Sequence, residues 1–547
     1  MSGMTGVMGG VVVGVSPDWR GRVDSARVSV RESGILAALA ARDPSAWGPA
    51  ARAEASIRLG WLDAPERSRA TLPELAELLA TCRARGLDRV VLAGMGGSSL
   101  APEVIAAVAG VELVTLDSTD PSQVRAALSG ELSRTVAVVS SKSGGTIETD
   151  SHRRAIAGAF EAAGLSPAEQ MVVVTDPGSP FAALAAEAGI TTVLADPNVG
   201  GRYSALTAFG LTPTALAGVD PAALLASAAR AQAAEDAGES AGAALGAVLT
   251  AAVADSRNKL VLWADPATHP GFGDWAEQLV AESTGKDGVG LLPVVVSSTQ
   301  APEWRSPAAD VVRVAIGAGA DSGADAWTDG PLGGLFWVWE HATAVVSRLL
   351  RIDPFNQPNV QESKDLTGRL LQRWEGEGAL PADPGAALDG PIEIRTAGGL
   401  DLAGASLDDA LRSLAEAVPE RGYLAVMAYL DRHAEAAAAD LRDGLAALSG
   451  RPVTFGWGPR FLHSTGQYHK GGPQTGAFLQ ITGAVDEDLE VPGRPWTFAT
   501  LCAAQAAGDH EALAGRGRPV LHLHLRDRAT GLAALAGALT RVGSQAP

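Results

Sequence analysis

Three short segments of this chain combine glycine with hydroxyl side chains: G-M-G-G-S-S (94–99), S-S-K-S-G-G-T (140–146) and N-V-G-G-R-Y-S (198–204). Glycine lets backbone N–H groups approach an anion, and Ser98, Ser141, Ser143 and Thr146 add hydroxyl donors. A helix that starts directly after such a turn points its positive end at the same place. One such turn is ordinary turn chemistry. Two successive strand–turn–helix units with hydroxyl-rich turns indicate a phosphate site.

A carboxylate on an apolar helix is the next candidate. In Q-L-V-A-E-S-T-G-K (278–286), Gln278 and Glu282 stand four apart and share one helix face. Burial near a phosphate site would raise such a carboxyl toward neutrality, where it abstracts protons efficiently. The chain has only five lysines, Lys142, Lys259, Lys286, Lys364 and Lys470, against 38 arginines. An ammonium is a compact point charge whose pKa moves on burial, whereas a guanidinium is a rigid fork that stays charged. Four of the five lie in short polar segments, which marks them as candidates for roles arginine cannot fill. In N-Q-P-N-V-Q-E-S-K (356–364), Gln357 and Lys364 fall seven apart, again near one face of a helix. His463 and His469 share one glycine-rich loop, at a spacing poor for zinc. Either could serve as an acid–base group.

A dinucleotide site is disfavoured. G-M-G-G-S-S nearly matches G-x-G-x-x-G, and Asp117 ends the next strand 23 residues after Gly94. Ser99 replaces the third glycine, which spoils close helix–strand packing, and the second hydroxyl turn has no role in such a site.

These segments need elements to hold them. Arg89–Ala93, Val111–Leu116, Thr135–Ser140, Met171–Thr175 and Thr191–Ala195 read as strands separated by helical patterns. That alternation predicts a parallel sheet with helices on both faces, whose post-strand loops collect at the carboxyl edge. The α/β pattern runs from 61 to 220, after a helical lead-in over 1–60. A second unit, 221–378, has predicted strands Lys259–Trp263, Gly290–Val296 and Val311–Ile316 and the helix Leu335–Arg351. Residues 379–391 read as a linker. A third α/β unit, 392–547, has predicted strands Tyr423–Tyr429, Pro452–Trp457, Ala477–Thr482 and Pro519–Leu525, with helices Ala434–Leu448 and Thr497–Ala514.

Composition sets bounds. A length of 547 residues corresponds to two to four domains of about 150 residues. With 46% apolar and 19% charged residues the chain reads as soluble and globular. A net charge of −19 without a basic tract argues against nucleic acid and anionic membranes as partners. Two distant cysteines, Cys82 and Cys502, exclude a disulfide scaffold and fit a reducing cytosol. Residues 1–15 lack the basic start of a signal peptide. The apolar stretch 242–254 is too short to span a bilayer and reads as a buried helix.

Together the motifs resemble the phosphoglucose isomerase family, which interconverts glucose 6-phosphate and fructose 6-phosphate. The resemblance covers residues 60–370 in order. It rests on L-A-G-M-G-G-S-S-L-A-P, S-S-K-S-G-G-T-I-E-T, V-G-G-R-Y-S, Q-x-x-x-E-S-x-G-K and F-N-Q-x-x-V-x-x-x-K. It implies two sugar-isomerase-type, doubly wound parallel-sheet domains, with a third C-terminal α/β unit beyond them. It implies that Gly97, Ser98, Ser141, Lys142, Ser143 and Thr146 hold the phosphate, with Gln278 and Gln357 at the substrate. Glu282 would move the proton between C2 and C1, Arg202 would stabilise the enediolate, and Lys364 would assist a histidine in ring opening. The implied enzyme works without cofactor or metal on a small sugar phosphate, as a possible homodimer. Isomerisation of a related sugar phosphate such as mannose 6-phosphate, or sugar-phosphate binding without turnover, are the rival readings.

The chain departs from the family pattern in places. Thr284 stands where the family commonly has asparagine, and Pro358–Asn359 replaces Trp-Gly. The family's ring-opening histidine lies between the glutamate and lysine motifs, but here that interval holds only His341, in a W-V-W-E-H helix of structural character. H-S-T-G-Q-Y (463–468) resembles the bacterial histidine loop, yet it follows Lys364. His463 is therefore the ring-opening candidate, with His469 the alternative. The arrangement resembles a divergent bacterial branch similar to the isomerase half of transaldolase–isomerase fusions.

Overall fold

A computed structural model describes residues 4–236, 240–378 and 386–544. Three sheets organise it. In the first, five parallel strands run in the order Val114–Leu116, Arg89–Gly94, Thr135–Ser140, Met171–Thr175, Thr191–Leu194. Every residue of Thr135–Ser140 is buried, as a strand covered on both faces requires. The chain leaves Arg89–Gly94 toward one edge and returns on its other side at Thr135–Ser140. This reversal opens a crevice at the carboxyl ends of those two strands. Both hydroxyl-rich turns follow the two strands that flank the crevice.

The second sheet has four parallel strands, in the order Ala326–Asp329, Val311–Ile316, Lys259–Ala264, Leu292–Val295. An antiparallel hairpin, Met4–Met8 with Val11–Val15, extends it beyond Ala326–Asp329. The third sheet repeats this topology. Its parallel strands run Val520–Leu525, Gly476–Gly483, Tyr423–Tyr429, Val453–Trp457, and the hairpin Ala387–Asp389 with Ile392–Ala397 joins antiparallel at Val520–Leu525. In both sheets the first parallel strand in the chain is the third strand counted from the hairpin.

The structure corrects several sequence expectations. The helical lead-in over 1–60 instead contributes the hairpin of the second sheet, although helices such as Arg20–Glu32 follow it. The signal was present: Gly9–Gly10 lies between the two strands, and both glycines have positive φ, as a tight hairpin turn demands. Gly14 also has a steric reason, since a Cβ there would lie 2.1 Å from the Trp327 indole. The linker reading of 379–391 falls partly outside the described residues, and 387–389 within it is strand. The strand read as 111–116 starts at Val114. To the predicted elements the structure adds the strands Ala326–Asp329 and Ile392–Ala397 and the helices Leu407–Glu416 and Arg528–Ser544.

Two shared cores seat the third unit. Val261, Ala281, Leu292 and Trp304 pack with Tyr423, Ala425 and Phe478. Leu116, Val124 and Ala155 of the first unit pack with Leu370, Phe498 and Leu501. Lys259 crosses the first of these junctions, donating to Asp310 at 2.7 Å and to the Arg421 carbonyl at 2.5 Å. Among the described residues no helix is long and apolar enough to cross a membrane, and Ala241–Ala254 is buried.

Candidate active site

A cavity of about 550 Å³ opens at the switch point of the first sheet. All twelve sequence-predicted residues line it: Gly97, Ser98, Ser141, Lys142, Ser143, Thr146, Arg202, Gln278, Glu282, Gln357, Lys364 and His463. They come from all three units, so the cavity exists only because the units pack together.

One wall consists of the two turns. Gly97 is glycine for want of room, since a Cβ would sit 1.9 Å from the Gly201 carbonyl oxygen. Gly96, at φ +55°, packs against Gln278 and the His463 backbone, where a Cβ would meet both. Thr146 caps the sixteen-residue helix Ile147–Ala162, and its side chain makes no capping hydrogen bond, which leaves the first helical N–H groups free for an anion. Lys142 is anchored by Asp176 at 2.5 Å and by the Pro197 carbonyl at 3.2 Å.

The carboxylate lines the same cavity from a helix of the second unit. Glu282 and Gln278 lie on the buried helix Phe272–Thr284, and Gln278 Nε2 donates to Glu282 Oε2 at 3.1 Å and to the His463 carbonyl at 2.8 Å. Arg202 is 4% exposed and stands 3.8 Å from Glu282. Its Nη2 donates to the carbonyls of Phe355 (3.0 Å) and Asn356 (3.3 Å) and to Gln357 Oε1. Arg202 Nη1 and Gln278 Oε1 are buried without a protein partner. Such orphaned polar atoms are costly unless a ligand satisfies them.

His463 enters from the third unit. Its Nε2 donates to Glu148 Oε1 at 3.0 Å, and Gln505 Nε2 donates to the same oxygen at 2.7 Å. Thr119 in turn donates to Gln505 Oε1 at 2.6 Å. Burial acts to raise the Glu148 carboxyl, but His463 beside it and Lys364 farther off outweigh burial and hold it at about 2. A carboxylate acceptor fixes a proton on Nε2 and leaves Nδ1 to exchange one. His469 is placed elsewhere. It is 2% exposed, its Nδ1 meets the Tyr423 hydroxyl at 3.1 Å, and it packs among Tyr423, Phe461 and Phe478. Burial, with Lys470 alongside, pushes its pKa well below the ordinary histidine value. His341 is buried against Glu235 at 3.5 Å and does not line the cavity.

The five lysines divide by role. Lys142 and Lys364 face the cavity. Lys259 and Lys470 are spent on buried pairs with Asp310 and Asp509, at 2.7 and 2.5 Å. Lys286 sits behind the site and donates to the carbonyls of Asp353 and Asn356, each at 2.6 Å, and to Asn356 Oδ1 at 3.0 Å. Burial, then Arg202 nearby, lowers it to about 7. It clips the segment that positions Arg202 and Gln357. Sequence reasoning missed Lys286 in this role, and missed Glu148 and Gln505. Glu148 lies inside the quoted second motif, but a carboxylate in a first helical turn reads simply as complementing the helix dipole.

The fold and this arrangement of turns define a sugar-isomerase-type α/β protein. No family model matches the chain. A probable glucose-6-phosphate isomerase of Haloarcula marismortui is 36% identical over 216 residues, which is 38% of this chain and 49% of that protein. The chain thus spans about half the length of the curated relatives it matches first. Among solved structures, a hypothetical protein of Thermus thermophilus aligns with TM-score 0.56 and 24% identity, covering 64% of this chain and 97% of that one. A glucose-6-phosphate isomerase from Chlamydia trachomatis aligns with TM-score 0.52 and 16% identity, covering 67% and 89%. These two likenesses concern the fold. The sequence likeness to glucose-6-phosphate isomerases is thus partial, and the structural likeness to one of them is a likeness of fold.

Proposed function

We propose that the protein is an aldose–ketose isomerase that interconverts glucose 6-phosphate and fructose 6-phosphate. One observation carries the reading: a buried carboxylate, Glu282, lies 3.8 Å from a buried guanidinium, Arg202, in a cavity that two hydroxyl-rich turns and a helix N-terminus also line. Moving a carbonyl between C1 and C2 needs a carboxylate base, a cation beside the developing oxyanion, and a donor–acceptor pair for the hemiacetal. In this reading Gly97, Ser98, Ser141, Lys142, Ser143 and Thr146 grip the phosphate, a remote hold that orients the reacting carbons. Glu282 takes the proton from C2 and returns it at C1. Arg202 stabilises the enediolate oxygen. His463, oriented by Glu148, opens the ring with Lys364, while Gln278 and Gln357 contact the sugar. The names of the sequence relatives support this substrate.

The test is turnover of fructose 6-phosphate by purified protein, with mannose 6-phosphate in parallel. Formation of glucose 6-phosphate, with a preference over mannose 6-phosphate, is the expected result. Preference for mannose 6-phosphate would shift the substrate, and tight binding without turnover would leave a sugar-phosphate-binding regulator.

A further inference from the structure

A second cavity, of about 500 Å³, uses another face of helix Phe272–Thr284. Asp274 and Glu277 line it from that helix, facing Asp440, Asp443, Phe455 and Trp457 of the third unit. Its two arginines are paired on both sides. Arg460 is held by Glu103 at 2.6 Å and Asp117 at 2.7 Å behind it and by Asp274 at 3.6 Å in the cavity, and Arg442 by Glu303 at 2.7 Å and by the neighbouring Asp443. Four lining carboxylates against these two arginines leave the space acidic. Glu277 is 8% exposed and lines the cavity without a hydrogen-bond or ion-pair partner among the described residues. A carboxylate this buried calls for a cation. The Phe455 and Trp457 rings, 4.9 Å apart edge to face, add surfaces that attract an ammonium. The volume falls in the ordinary range for small-ligand pockets.

We propose that this cavity binds a small organic amine of the polyamine type, with an ammonium group on Glu277. Burial, then the neighbouring Asp274, pushes the Glu277 carboxyl well above the usual range, and Arg460 only partly opposes them. The other charged groups facing it are Asp440, Asp443 and Arg442, with Glu303 behind Arg442, and with Glu103 and Asp117 behind Arg460, both shared with Arg432. An arriving ammonium therefore displaces a proton from Glu277. Metal ions fit less well, since among the described residues no cluster of three metal-ligating side chains occurs.

Calorimetry on the full chain, without sugar phosphate, tests this independently of the isomerase reading. Spermidine and putrescine are titrated at physiological ionic strength in two buffers of different ionisation heat. One saturable site with proton release is expected. Glu277→Gln should weaken it at least about tenfold, with the fold checked by melting temperature, while Glu487→Gln on the exposed surface stays within about twofold. If Glu277→Gln fails to fold, Asp440→Asn takes its place and should weaken binding about threefold or more. Absence of a saturable site, equal affinity in parent and cavity variants, or displacement of spermidine by magnesium at equal ionic strength would overturn the proposal.

Discussion

The second and third sheets share one strand order and one antiparallel hairpin, yet they serve the cavity differently. In the second unit the helix after the first parallel strand, Phe272–Thr284, carries Gln278 and Glu282 to the cavity. In the third unit the equivalent helix, Leu441–Ser449, does not reach it. There the turn after the second parallel strand, Arg460–His463, supplies the contribution instead. The same topology can therefore present a carboxylate from a helix or a histidine from a turn. A turn needs outside support to be as well oriented as a helix, and Glu148, itself held by Gln505, provides it.

The sharpest way to break this contrast is Glu282→Gln. It should lower kcat by at least about a thousandfold, the scale of a removed acid–base group, in steady-state conversion of fructose 6-phosphate. Parent-like rates would remove the base from the second unit. His463→Ala should follow, with about a hundredfold loss on cyclic substrate and a much smaller loss on open-chain substrate. Stopped-flow comparison of the two forms separates ring opening from proton transfer.

Glu148→Gln should cost about tenfold on cyclic substrate, because the turn loses its orienting acceptor. It also has an acid signature. The Glu148 carboxyl is depressed to about 2, so its stabilisation is present above the unfolded carboxyl range near 4.5 and is lost as pH falls from there toward 2. Urea unfolding at pH 5 and pH 3 should show a smaller drop in the variant than in the parent. Lys286→Met should lower kcat/KM about tenfold by freeing the Asp353–Gln357 segment; an unchanged kcat/KM in steady-state assay would show that the clip does not position Arg202 and Gln357. The smallest effect is expected for His469→Phe, which should open rings within about twofold of the parent rate while changing the melting temperature.

Much of this was legible from local chemistry. The turns at 94–99 and 140–146 were readable because two successive strand–turn–helix units both carry glycine and hydroxyl groups, where one alone would be ordinary turn chemistry. Gln278 and Glu282 were readable because helix periodicity places them on one face. The choice between His463 and His469 was not, since both occupy one short polar loop and differ only in what packs above them. The hairpin at 4–15 was missed because its partner strand, Ala326–Asp329, lies more than three hundred residues away in the chain. Glu148 and Gln505 were missed because neither signals anything without the other.

The residues alone determined the α/β class, the glycine- and hydroxyl-rich turns and the helical carboxylate, because strand runs, turn composition and helix period are properties of neighbouring residues. The tertiary structure decided which histidine meets Glu148, which lysines are spent on buried pairs, and that the third unit closes the cavity. Those outcomes depend on contacts between segments hundreds of residues apart, where burial and packing, rather than local preference, select the partner.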